Sequence, residues 1–167
     1  MQSGNWNFTM RNIIVEETNR EKLEFSLTHR ISTDLQIGLE YGADSDDYFP
    51  LVNYRLREAK DGLPTFIVGT SSAWPSGEVD GNAFFISAAS LLNSRTSGSV
   101  SISYTPDDGS WKIPGSLQYT LSETIDGSLI WDGDNLHPLV TWYGGKLNLS
   151  FILLGGEDPT ISTTIAF

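Results

Sequence analysis

Along most of the chain, apolar and polar side chains alternate with a period of two. Between 23 and 31, Leu23, Phe25, Leu27, His29 and Ile31 share one parity, and Glu24, Ser26, Thr28 and Arg30 share the other. Leu35, Ile37, Leu39 and Tyr41 repeat the pattern, as do Val100, Ile102 and Tyr104, and Leu117, Tyr119 and Leu121. Side chains leave opposite faces of a β-strand in turn, so this period predicts strands with one apolar and one polar face. Asp, Asn and Gly clusters interrupt the pattern about every 14 residues and predict turns. The expected strands are 5–16, 21–32, 34–43, 48–59, 64–72, 82–93, 98–105, 115–123, 127–132, 137–144, 146–155 and 159–167. Segment 12–23 has helix-friendly residues, but Ile13-Ile14-Val15 is β-branched and its apolar spacing does not follow a helix. The chain therefore reads as one all-β domain over 1–167: an antiparallel meander of twelve strands, or ten if neighbouring segments merge.

Such alternation fits either a soluble sandwich or barrel, with the apolar face inward, or a transmembrane barrel, with the apolar face toward lipid. Three features favour the membrane version. The polar parity is rich in small uncharged residues such as Ser26, Thr28, Ser99, Ser101, Ser103, Ser150 and Thr164, where soluble sheets carry more Lys and Glu. Aromatic residues, among them Trp6, Phe8, Tyr41, Tyr48, Trp131, Trp142 and Phe167, fall near strand ends, as interfacial anchoring requires. The third feature is charge. The 167 residues carry a formal charge of −11, and the odd-numbered connections alone account for all of it, with 14 acids against Arg20, Lys22 and Lys112. The even-numbered connections come to −1, with Arg57, Lys60, Arg95 and Lys146 against five acids. In an up-and-down meander, odd and even connections lie at opposite ends. The odd set also holds the long loops, 72–81 and 105–114, while the even turns are tight. Long loops at one end and short turns at the other is the asymmetry of transmembrane barrels.

The chain ends Pro159-Thr160-Ile161-Ser162-Thr163-Thr164-Ile165-Ala166-Phe167, an alternating strand with a terminal Phe. This resembles the last strand of Gram-negative outer-membrane β-barrel proteins, although Ile165 stands where an aromatic residue is frequent and the usual upstream glycine is missing. The resemblance implies an up-and-down barrel in a bacterial outer membrane, with the lipid bilayer and lipopolysaccharide around it. It also implies that Phe167 is read by the barrel-assembly machinery. Met1-Gln2-Ser3-Gly4 has no secretory features, so a signal peptide is expected to have been removed from this sequence.

Composition narrows the chemistry further. The acidic balance argues against a nucleic-acid partner, which needs a basic face. There are no cysteines and no P-loop, G-x-S-x-G or H-E-x-x-H motif, so neither cofactor nor metal is expected. Neither histidine continues as the H-x-S-N-G setting of outer-membrane phospholipase A. His29 reads as a rim anchor rather than a ligand. His137, beside Asp132 and Asp134, fits either an Asp–His pair or a proline-stiffened turn before Pro138. Turns such as Asp44-Ser45-Asp46-Asp47 offer oxygen ligands but lack the twelve-residue calcium-loop pattern. The glycosylation sequons Asn7-Phe8-Thr9 and Asn148-Leu149-Ser150 fall inside strands.

With the apolar parity outward, Arg11, Glu24, Arg30, Glu40, Asn53, Arg55 and Arg57 point into the lumen from the first four strands. They form either an ion-pair network bracing one wall or a charge-selective constriction. Twelve strands spaced ~4.8 Å and tilted ~40° give a backbone radius of ~12 Å, which inward side chains fill about half-way. The expected activity is a narrow passive channel, or a structural barrel, without catalysis. Two alternatives are a lipid- or lipopolysaccharide-modifying enzyme using Asp132, Asp134 and His137, and a soluble carbohydrate-binding sandwich or barrel using Trp74, Trp111 and Trp131.

Overall fold

The computed structural model describes residues 5–60, 62–72 and 82–167, so Trp74, Glu78, Asp80 and Asp61 lie outside the described residues. Thirteen strands form one antiparallel sheet: β1 (Trp6–Ile13), β2 (Leu23–Arg30), β3 (Leu35–Gly42), β4 (Asp47–Arg57), β5 (Thr65–Ser72), β6 (Asn82–Leu91), β7 (Thr96–Thr105), β8 (Ser110–Lys112), β9 (Gly115–Thr120), β10 (Ile125–Trp131), β11 (Leu136–Gly144), β12 (Leu147–Leu154) and β13 (Asp158–Ala166). Consecutive strands pair as hairpins, and β1 pairs with β13 over Asn7–Ile13, which closes the wall. β8 and β9 both pair with β7 in one continuous register, and Ser101 N–H still donates to Pro114 O at 2.8 Å between them. They are one stave interrupted at Pro114, which has no N–H to give the ladder. The barrel therefore has twelve staves, as the alternation predicts.

Following the register once around the wall returns to β1 about 14 residues further along the chain, a stagger that corresponds to a strand tilt of about 40°. Exposure alternates with the sequence pattern, but the exposed side chains are the apolar ones. On β1, Trp6, Phe8 and Met10 are exposed while Asn7, Thr9 and Arg11 are half-buried. The same holds for Val100 and Ile102 against Ser99 and Ser101 on β7. This inverted exposure, in a single closed layer, rules out the sandwich.

Small hydroxyl side chains tie the inner faces of neighbouring staves where they stand directly opposite. Thr9 and Thr164 lie 2.9 Å apart, Ser99 and Ser116 2.7 Å, and Thr141 and Ser150 2.8 Å. These cross-strand pairs give the uncharged inner parity a structural reason. At the rims, His29 stacks on Trp6 with ring centroids 4.2 Å apart, Tyr41 packs on Tyr48 and Tyr104 on Trp111.

Several strand bounds differ from expectation. β1 ends at Ile13, not 16: Ile14 N–H still donates to Pro159 O at 2.9 Å and Lys22 O accepts from Ile13 N–H at 2.8 Å, but the residues between them turn across the neighbouring staves. There Val15 packs on Ile13, Ile152 and Leu154, while Thr18 and Arg20 both bind the Asp158 carboxylate at 3.2 Å. β7 and β10 each start two residues earlier than expected, at Thr96 and Ile125.

Candidate functional site

Among the described residues the predicted charges converge in the barrel interior, which divides into two ends. Toward the acidic loops, Arg11 and Glu24 stand opposite each other on β1 and β2 and form a buried salt bridge. Glu40 faces inward on β3 beside them and is buried, with Phe49 directly opposite on β4. One Glu40 oxygen and Arg11 Nε have no hydrogen-bond partner in the protein. Two carboxyls and one guanidinium thus share one stretch of wall.

Toward the tight turns, Arg55 donates from Nε to Asp34 at 2.8 Å and approaches Glu58 at 3.6 Å. Its backbone N–H also donates to Asp34 O at 2.8 Å, so the β2–β3 turn fixes its position. Arg30, Gln36, Asn53 and Arg55 line a recess of about 220 Å³ at this mouth. Gln36 donates to Thr28 at 2.9 Å. Among the described residues, Arg30 forms no ion pair. Arg57 differs: a bulge between Arg55 and Arg57 shifts the register, and Arg57 is exposed at the strand end outside this recess. Six of the predicted seven therefore fall into two groups separated along the barrel axis rather than one constriction, and Arg57 belongs to neither.

Sequence reasoning missed a second inner feature. Ile13, Ile152 and Leu154 form a buried apolar cluster at the acidic end, with Leu139 and Val15 packed against it. All but Val15 occupy the inward parity. The signal was present where alternation fails, in Ile13-Ile14-Val15 and in Phe151-Ile152-Leu153-Leu154.

Beside this cluster His137 is completely buried. Gly155 N–H donates to its Nδ1 at 2.9 Å, so that nitrogen accepts and carries no proton. Nε2–H then donates to Asp132 Oδ2 at 2.7 Å. Gly155 and Gly156, with φ of 62° and 75°, supply the left-handed turn that aims this N–H. Asp132 Oδ1 accepts from the Asp134 and Asn135 amides at 2.8 and 2.7 Å. The imidazole therefore pins the β10–β11 turn to the β12–β13 turn. Asp134 turns away and bridges Lys112 at 2.5 Å. With both ring nitrogens engaged and the ring fully buried, this group does not have the geometry of the lipid-modifying site. Trp111 and Trp131 face outward on separate staves and share no sugar-binding cleft. Among the described residues no cluster of three or more His, Asp or Glu is placed to hold a metal.

Burial opposes ionisation of Asp132, but the hydrogen bonds from His137 and the Asn135 and Asp134 amides prevail and hold its pKa at about 2, below the ordinary 3.8. A carboxyl lowered in the folded state stabilises above its unfolded pKa and stops doing so as pH falls through its folded one. The pin is therefore expected to weaken between about pH 4 and pH 2, and Asp132→Asn should flatten that part of the profile. Urea midpoints of detergent-folded protein across this range check it; parallel profiles for wild type and variant would contradict it.

No family model matches the chain, and no curated protein matches its sequence. Its fold does match a solved structure. The KdgM porin superposes with a TM-score of 0.62 at 10% identity, over 96% of this chain and 99% of that one. The chain has the fold of an outer-membrane β-barrel. The expectation drawn from alternation, loop asymmetry and the terminal strand is thus met at the level of fold.

Proposed function

We propose that the chain is an outer-membrane β-barrel that acts as a narrow passive channel. The observation that carries this reading is the closed wall of twelve staves with an apolar exterior and an inner face of Ser, Thr, Asn, Gln and paired charges. Likeness to a solved porin supports it. In this reading the bilayer and lipopolysaccharide surround the barrel, and the assembly machinery engages the β13 strand that closes against β1. The short turns face the periplasm and the acidic loops face outward.

The lumen is narrow because its inner relief is bulky. The Ile13–Ile152–Leu154 cluster and Val15 occupy one wall near the acidic mouth, and Phe49 and Phe85 project inward elsewhere. Phe85 lies across Gly69, where an added Cβ would meet its ring at 3.1 Å. Selectivity should be weak. Arg55 is neutralised by Asp34 and Glu58, leaving Arg30 as the inward cation at the turn-side mouth. The acidic rim repels anions over about 8–10 Å at physiological salt, so higher salt should increase anion preference.

Planar-bilayer recordings test the proposal. The expected result is a small conductance with modest anion preference, reduced by Arg30→Ala and little changed by Arg57→Ala. A large conductance with strong cation preference, unmoved by Arg30→Ala, would overturn the lumen assignment. Absence of any current would leave a structural barrel.

A further inference from the structure

The inner face at the acidic mouth is closed to solvent along one row. Ile13, Thr160, Ile152 and Leu139 stand directly opposite one another on β1, β13, β12 and β11, all on the inward parity. Ile13 and Ile152 are buried, and Thr160, Leu154 and His137 are completely so. Thr9, Asn148 and Ser150, deeper on the same wall, are only half-buried. An inward side chain in a polar lumen loses all exposure only where chain lies over it. Val15 supplies part of that cover. It begins a strap, residues 15–21, whose two ends are tied to the wall. At one end Ile14 N–H donates to Pro159 O at 2.9 Å, and at the other Lys22 O accepts from Ile13 N–H at 2.8 Å.

Between those ends the strap is gripped at two turns. Toward β12–β13 the grip is a single carboxylate: Thr18 Oγ1 donates to Asp158 Oδ2 at 3.2 Å, and Arg20 Nε lies 3.2 Å from the same oxygen. Thr18 Oγ1 also accepts from Arg20 N–H at 3.2 Å, so the two contacts belong to one turn of the strap. The Arg20 guanidinium lies against Gly155, where an added Cβ would meet Nη2 at 2.6 Å. Gly155 is itself held by its bond to His137. Toward β3–β4, Lys22 N–H donates to Asp44 Oδ2 at 2.7 Å, and the Glu21 carboxylate accepts from the Asp44 and Ser45 amides. The strap thus reaches from one turn to the other, with the closed inner row beneath Val15. Val15 is its single apolar residue. One valine buries too little surface to hold down a segment this polar, so the Asp158 grip decides where the strap lies.

We propose that the strap is a latched lid over the acidic mouth, with Asp158 as its latch, and that releasing the latch widens the conducting path. The proposal rests on the channel reading above. The chain has no cysteine, so Thr18→Cys/Asp158→Cys carries one thiol pair that removes the latch and allows it to be rebuilt. Reduced, this variant is expected to conduct about twofold more than wild type in planar bilayers, because the lid no longer narrows the mouth. Joining the thiols with a short bis-methanethiosulfonate should restore the wild-type conductance, and dithiothreitol should raise it again. Limited trypsin digestion in detergent reads the strap without any current. Wild type and the cross-linked form should resist cleavage after Arg20, whereas the reduced variant and Asp158→Asn should be cut there. A gel shift on heating reports that each variant is folded. Equal conductance of the reduced and cross-linked forms would overturn the proposal, as would equal resistance at Arg20 in all four. If no form conducts while cleavage at Arg20 still follows the cross-link, the channel reading fails and the latched strap stands.

Discussion

Arginine at position 100 is expected to cost the barrel about 2–4 kcal/mol in lipid vesicles, whereas arginine at position 101 should cost less than about 1 kcal/mol. Val100 and Ser101 are adjacent at the middle of β7, on opposite faces of the same stave. Val100 is exposed on the outside, opposite Ala88 on one neighbouring strand and Gly115 on the other. A guanidinium there must sit in hydrocarbon or bend toward a headgroup, and mid-wall is the furthest point from both interfaces. Ser101 projects inward beside Ser87, into a polar interior that hydrates a charge. Reversible urea unfolding of Val100→Arg and Ser101→Arg in vesicles measures both. Equal costs, or a larger cost at Ser101, would mean that the apolar parity does not face lipid.

That contrast is the part of the fold most legible in the sequence. A period of two fixes which residues share a face without any tertiary information, because a strand has no other way to present them. The closed twelve-stave wall, the odd–even segregation of loops and the rim position of His29 all follow from it. The lumen was legible only as a list of inward residues. Parity says that Arg11, Glu24 and Glu40 share the inner face, but the Arg11–Glu24 contact depends on cross-strand register, which the turn lengths set only approximately. Arg57 shows the limit most plainly, since one bulged residue moved it out of the recess that Arg55 lines. The apolar cluster around Leu154 escaped for a different reason. Its residues break the alternation, so a reading built on alternation passes over them, although they mark where the β1–β2 loop packs back on the wall. Asp132 and His137 are five residues apart, and from the sequence their pairing was the less favoured reading beside a proline-stiffened turn, until the β12–β13 turn supplied the Gly155 amide that orients the ring.

Replacing Arg11 by methionine should lower stability by about 3–5 kcal/mol, the largest loss expected from any single lumenal substitution. The guanidinium is the counter-charge for Glu24, and the two side chains are only 14% and 12% exposed. Glu40 lies next to them, buried, so removing Arg11 leaves two carboxyl groups facing each other without a cation. The cost is mainly that uncompensated charge rather than the lost bond, and this makes a specific prediction about pairs. Arg11→Met/Glu24→Met should recover most of the loss, because the partner left without its counter-charge is gone as well. Arg55→Met supplies the comparison. Its partners Asp34 and Glu58 are 48% and 76% exposed, so water screens them and the loss should stay within about 1 kcal/mol. Urea unfolding of the four proteins in one detergent separates these outcomes. Similar small losses for Arg11→Met and Arg55→Met would show that water reaches the Arg11 wall freely. The lumen would then be wider at its acidic end than the Ile13–Leu154 cluster and the inward Phe49 imply, and the narrow-channel proposal would have to give way to an open one.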